Sequence, residues 1–308
     1  MRCKRDKVML EFDTFIQSCI DKYTACGKCA DNCVHMHYCI QNGCDESNCK
    51  ECLKQIQWGK GLFTYECRKI TFHYVLKFFY RFASEISYLM QTFHDKNRQV
   101  QNFVVYSLGC GPGSEVFGLI NSIQKKFPYL CLKYEGFDMN SIWSEVQNMN
   151  KEVFRESGHT INFHCENLFA ADIPYDNINM LVLNYLLSDI VRYCNLDQKR
   201  KFVDDIVDFV VSNGVKSIFF NDINYLGGEA PLDSGFQMML CIIEKLKSNG
   251  FSVSQWNYHF FGDKRFGNIK WKLHPSDKLL YNENPLNPVS YNHVCNSKQV
   301  FCLIEFPK

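Results

Sequence analysis

The chain of 308 residues has room for one large domain with a smaller companion, and with 46% apolar residues it can bury a real core. Its 34 Lys and Arg nearly cancel 33 Asp and Glu, which excludes a globally basic nucleic-acid binder and leaves only local basic patches. The basic start MRCKRDKVMLEFDTF leads into no long apolar core, and no apolar run approaches membrane-spanning length, so the sequence predicts a cytoplasmic or nuclear protein without a membrane partner.

Residues 1 to about 58 are rich in Cys, Asn and Lys and show little periodicity. Nine of the 17 cysteines fall in the first 52 residues. Cys26, Cys29, Cys33, Cys39, Cys44, Cys49 and Cys52 include two Cys-x2-Cys pairs, and a two-residue spacer lets both thiolates of a pair reach one tetrahedral ion. With Cys19, His35 or His37 as an eighth ligand the segment could hold two zinc ions, which would stabilise a polar stretch that lacks a core of its own. An iron-sulfur cluster or a disulfide knot is the alternative. The order Cys26-x2-Cys29-x3-Cys33 is the reverse of the radical-enzyme spacing and differs from the bacterial ferredoxin run.

From about 64 to 94, Ile70, Tyr74, Phe78, Phe82, Ile86, Leu89 and Phe93 recur at helical spacing and predict one long helix. Lys69, His73, Lys77 and Arg81 form a basic stripe on it, expected either to contact phosphate or to be a solvated face. Beyond residue 101, short apolar runs alternate with amphipathic segments, as in a parallel sheet with helices on its faces. The boundaries expected are 1–60 for the cysteine-rich module, 61–100 for a connecting helical segment and 101–308 for an α/β domain.

The first apolar run opens VVYSLGCGPGSEVFGLI, residues 104–120. Glycines at a strand-to-helix corner admit positive backbone angles and let a ligand lie against the main chain. No Gly-Lys-Ser/Thr follows, which argues against a P-loop, and the sixth position from Gly109 is Ser114, which departs from the dinucleotide fingerprint. The compact Gly109-x-Gly111-x-Gly113 form, with Pro112 inside it and Glu115 after it, resembles the first motif of class I S-adenosylmethionine-dependent methyltransferases.

That resemblance covers roughly the last 200 residues and implies a Rossmann-like α/β fold, its sheet mostly parallel with an antiparallel last strand and helices on both faces. It implies S-adenosylmethionine as cofactor, held by Gly109, Cys110, Gly111 and Gly113, by Asp138 and Met139 after the second strand, by Glu166, Asn167 and Leu168 after the third, and by Asn184. Asn184 and Tyr185 at the end of the fourth strand, with Asp189, Asn221 and Asp222, are the catalytic candidates. Tyr65, Tyr80 and Glu85 would close over the cofactor. For each catalytic candidate a helix cap or turn residue is the alternative reading. Enzymes that methylate exocyclic amines of DNA bases carry Asn or Asp-Pro-Pro-aromatic here, whereas this chain reads Asn184-Tyr185-Leu186-Leu187. The function expected is methyl transfer, to RNA if the zinc module and basic stripe grip a polynucleotide, otherwise to a protein or small molecule. The alternative is a catalytically silent methyltransferase-like protein whose zinc module docks a protein partner.

Overall fold

The computed structural model describes residues 2–26, 46–58, 65, 67–91, 93, 102–126, 128–170, 177–223, 232–260 and 269–307. Among them eight strands form one sheet: β1 (Asn102–Leu108), β2 (Cys131–Phe137), β3 (Thr160–His164), β4 (Met180–Asn184), β5 (Ser217–Ile223), β6 (Ser252–His259), β7 (Trp271–Leu273) and β8 (Ser297–Glu305). Their order is β3-β2-β1-β4-β5-β8-β6-β7. The first five are parallel, and β8 runs antiparallel between β5 and β6. The α/β fold class expected, mostly parallel with an antiparallel last strand, is therefore present; the edge strand β7 was not foreseen.

Alternation within the strands assigns side chains to two cores. Phe103 and Val105 of β1 enter one, with Leu132, Tyr134, Met180, Val182, Phe219 and Phe301. Val104, Tyr106 and Leu108 enter the other, with Leu181, Leu183, Ile218 and Phe220. Both faces are covered, as the apolar character of these strands requires. The first core is roofed by α1 (Arg2–Ala25), α3 (Arg68–Met90), α4 (Ser114–Lys126) and α5 (Ser144–Val153), and the second by α7 (Leu196–Ser212) and α8 (Gly235–Ser248). A capping box between Asn195 and Gln198 starts α7. Of two further helices, α2 (Glu46–Trp58) packs Leu53 and Ile56 against Phe78 and Phe82 of α3, and α6 (Leu187–Tyr193) follows β4 and reaches α2 through Tyr193 OH, which donates to Ile56 O.

Helix α1 contradicts the expected lack of periodicity before residue 58. Val8, Phe12, Phe15, Ile16, Cys19, Ile20 and Tyr23 are all buried and repeat at three- and four-residue intervals, so they make one apolar stripe. Charged residues interleaved with them hide the stripe from a linear reading. It packs into the same core as α3 and α4. Cys19 sits inside that core, and burial raises its thiol well above the ordinary value.

The basic stripe of α3 also differs from expectation. His73 and Arg81 are buried and Lys69 and Lys77 half-buried, so the four do not form one open basic face. Lys69 sets its ammonium over the Tyr23 ring at 5.2 Å, and Arg81 lies over Phe78 and Phe82 at 5.4 and 5.0 Å. The cause is coverage from two sides. Helix α1 lies on one, and on the other the segment 274–296 folds back, with Tyr291 stacked on Tyr80 at 4.8 Å and the Leu280 amide donating to Ser84 Oγ at 2.9 Å.

Among the described residues no three Cys, His, Asp or Glu side chains converge as metal ligands. Cys49 and Cys52 lie on α2 in separate apolar clusters, and Cys26 follows α1 with its sulfur 3.5 Å from Arg68 Nη1. Cys29, Cys33, Cys39 and Cys44, with His35 and His37, fall outside the described residues. No described helix is long and apolar enough to cross a membrane.

Candidate functional site

Strand β1 stands at the switch point of the sheet, where the chain runs one way through β2 and β3 and the other way through β4 and β5. In such sheets the crevice beyond the carboxyl ends of the two central strands is the place for a ligand. The loop that leaves β1 there carries the three glycines, at φ of +59° (Gly109), +50° (Gly111) and +75° (Gly113). This is the left-handed region that side chains with a Cβ avoid.

The loop is held from both sides. Cys110 N donates to Phe137 O at 3.1 Å, and Gly111 N donates to Asp138 Oδ2 at 2.9 Å. From α5, Gln147 Nε2 donates to Gly111 O at 2.7 Å, and Asn150 Nδ2 donates to Gly113 O at 2.8 Å and Pro112 O at 3.1 Å. Below the loop, buried Glu115 accepts from Ser107 Oγ at 2.6 Å and Tyr134 OH at 2.7 Å. Burial raises its carboxyl pKa, and those hydrogen bonds oppose the rise.

A cavity of about 200 Å³ opens on this loop. Gly109, Cys110, Gly111, Pro112 and Ser114 form its floor, Asp138 and Asn140 one side, and Asn184, Tyr185, Leu186 and Asp189 the other, under the rings of Tyr65, Tyr74, Phe82 and Trp143. A Cβ on Gly111 would meet nothing nearer than Trp143 at 3.9 Å, so the main chain there is bare toward the cavity. Asp138 accepts from Gly111 N and, at 2.8 Å, from Asn140 N; burial raises its pKa against those two bonds. A carboxylate has further lone pairs for hydroxyl donors. Aromatic faces, a bare glycine backbone and an acid suit a ligand that joins a cation to a sugar, and S-adenosylmethionine is of that kind.

Of the cofactor residues expected, Gly109, Cys110, Gly111, Asp138 and Asn184 line the cavity. Gly113 sits at the back of the loop against Phe163. Met139, Glu166, Asn167 and Leu168 do not line it. Met139 and Asn167 are exposed, Leu168 is buried in the second core, and Glu166 lies 3.6 Å from His164 Nδ1. Tyr80 is in the first core, and Glu85 lies buried beneath Tyr185.

Tyr185 takes a left-handed backbone, φ +56°, which is rare for a bulky residue and marks local strain. Its amide donates to Asn221 O at 2.7 Å, its hydroxyl donates to Glu85 Oε2 at 2.9 Å, and its ring stacks on Phe82 at 3.9 Å. Burial raises the phenol well above its usual value, so the hydroxyl is a committed donor. Asp222 does not face the cavity. It is 1% exposed and accepts from Ser188 N at 2.8 Å and Ile223 N at 2.7 Å, fixing the start of α6.

Burial pushes Asp222 up to about 7, opposed by those amides. Between pH of about 4 and 7 the folded chain then holds a proton that the unfolded chain has lost, so stability falls as pH rises, by up to about 1.4 kcal/mol per unit. Asp222→Asn is expected to flatten that slope in urea unfolding measured across the same range.

The residues that sequence reasoning missed are Tyr74, Phe82, Ser114, Asn140, Trp143 and Leu186 at the cavity, and Gln147 and Asn150 behind it. Tyr74 and Phe82 carry only a helix-periodicity signal in the sequence, and no linear spacing ties Trp143 to them.

No family model and no curated protein matches the chain. Among solved structures it is similar to magnesium protoporphyrin IX methyltransferase from Synechocystis with bound S-adenosylmethionine, at 13% identity and a TM-score of 0.39, over 85% of this chain and 93% of that one. A Listeria monocytogenes protein proposed to be a class I S-adenosylmethionine-dependent methyltransferase gives 8% identity and a TM-score of 0.45, over 100% and 89%. An S-adenosylmethionine-dependent methyltransferase from Aquifex aeolicus gives 9% and 0.39, over 72% and 90%.

Proposed function

We propose that the protein is an S-adenosylmethionine-dependent methyltransferase with its cofactor in the cavity over Gly109–Gly113. The observation that carries this reading is the loop itself: three left-handed glycines at the switch point, one of them bare toward an aromatic-walled cavity beside Asp138. Bound there, the cofactor would supply a methyl group already activated by a sulfonium charge. The chain's part is to bind and align. Gly111 would lie under the cofactor, Asp138 would accept from ribose hydroxyls, and Tyr65, Tyr74, Phe82 and Trp143 would exclude water and face the positive charge. Asn184 and Tyr185 would border the acceptor.

Zinc in the amino-terminal segment remains part of the proposal, supported by the spacing of Cys26, Cys29, Cys33, Cys39 and Cys44, with Cys49 and Cys52 placed in separate apolar clusters. With His73 and Arg81 of the basic stripe interior, the reading toward an RNA acceptor rests mainly on that segment.

Asp138→Ala tests the cofactor assignment. It removes a charge-assisted hydrogen bond and is expected to weaken binding of S-adenosylhomocysteine by about 1.5–3 kcal/mol in calorimetric titration. Unchanged affinity would take Asp138 out of the cofactor site.

A further inference from the structure

Glu85 is fully buried on α3 and does not itself line the cavity. Its Oε2 accepts from Tyr185 OH at 2.9 Å and Asn221 Nδ2 at 3.1 Å. Its Oε1 accepts from Asn296 N at 3.0 Å and lies 3.8 Å from Arg81 Nε. Carboxylate oxygens only accept, so Asn221 must turn its NH2 group toward them. The Asn221 oxygen then faces Gln299, whose Nε2 donates to it at 2.8 Å and to the Glu85 carbonyl at 2.8 Å. Both amides are oriented by acceptor-only atoms of a single residue.

The chain of donors continues toward the cavity. Asn221 Nδ2 also donates to Asn184 Oδ1 at 2.8 Å, across the paired ends of β4 and β5. The Asn184 oxygen is thereby turned toward β5. Its NH2 group faces Ser114 Oγ at 3.4 Å and the Glu115 carboxylate on one side, and on the other the cavity that Asn184 and Ser114 line.

We infer that Glu85 is a positioning residue that holds Asn184 as a hydrogen-bond donor toward the cavity, so that the methyl acceptor presents an oxygen there and not an amine. The inference rests on the reading of this cavity as the methyl-donor site. An amine N–H against Asn184 Nδ2 would set donor against donor in a buried place, whereas a hydroxyl or carboxylate oxygen satisfies it. The absence of the Pro-Pro-aromatic continuation after Asn184 agrees with this. The acceptor oxygen gains a C–O bond as the donor's C–S bond breaks, the electron pair leaving with sulfur. A hydroxyl acceptor's proton passes to the half-exposed Asp189 carboxylate and on to water.

Two probes separate the possibilities: S-adenosylhomocysteine, and sinefungin, which carries an ammonium where the methyl group stands. Calorimetric dissociation constants for both are measured on the wild type, Glu85→Gln and Asn184→Asp. In Glu85→Gln the new amide lets Asn221 and Asn184 turn over. Sinefungin is then expected to gain about threefold on S-adenosylhomocysteine, although loss of a negative charge alone would move the ratio the other way. Asn184→Asp keeps an oxygen for Asn221 and makes the cavity-facing atom an acceptor, for a gain of about tenfold. A ratio unchanged or moved against sinefungin in Glu85→Gln overturns the inference. If that variant does not fold, Asn184→Ala, which removes the facing donor without adding charge, decides by the same criterion. A wild type that binds neither probe sinks the cofactor reading first, and the inference with it.

Discussion

Phe12→Ala is expected to destabilise the whole protein by about 3–5 kcal/mol, the usual cost of truncating a fully buried phenylalanine. Phe12 is 0% exposed on α1, and its ring meets Tyr281 at 4.0 Å, Tyr80 at 5.2 Å, Phe117 at 5.4 Å and Phe79 at 6.0 Å. Those partners come from α3, α4 and the segment 274–296, so the cavity left behind would open between elements far apart in sequence. A single thermal transition, lowered by about 5–15 °C, is the expected result. A separate early transition that leaves the main unfolding step unmoved would mean that α1 is an independent unit.

The second large effect is at Gly113. An L side chain at φ +75° costs about 1–2 kcal/mol in strain. Its Cβ would also lie 2.6 Å from two Phe163 ring carbons and 2.9 Å from Asn150 Nδ2, the atom that holds the loop's carbonyls. Overpacking of this kind adds about 1–3 kcal/mol, so Gly113→Ala should lose about 2–5 kcal/mol of stability in denaturant unfolding. Gly111→Ala makes the useful contrast. It has strain but no clash, because its Cβ would enter the cavity, so cofactor affinity should suffer more than stability. A neutral Gly113→Ala would show that the loop does not take this course.

Much of the parallel half was legible because each signal was local. Apolar runs such as FVVYSL mark strands, Asn-Gly pairs end α7 and α8, and three alternate glycines demand an unusual turn. What escaped the sequence depends on contacts made at long range. The periodicity of α3 showed an apolar face, but nothing local said that α1 and the segment 274–296 would bury His73 and Arg81 as well. Glu85, Asn221 and Gln299 come from three distant segments; Glu85 and Asn221 read from the sequence as separate site candidates, and nothing local joins them to each other or to Gln299. Asp222 looked catalytic because it ends a strand beside the expected site, yet its carboxylate is taken up by the amides of Ser188 and Ile223. The aromatic wall is assembled the same way, from Tyr65 before α3, Tyr74 and Phe82 on it, and Trp143 after β2.

The central claim is that the cavity over Gly109–Gly113 binds the methyl donor. Calorimetric titration of the purified wild-type protein with S-adenosylmethionine and with S-adenosylhomocysteine tests it most directly. One site per chain with micromolar affinity for both is the expected result. Absence of binding to either would contradict it and leave the three glycines as a feature of the fold alone.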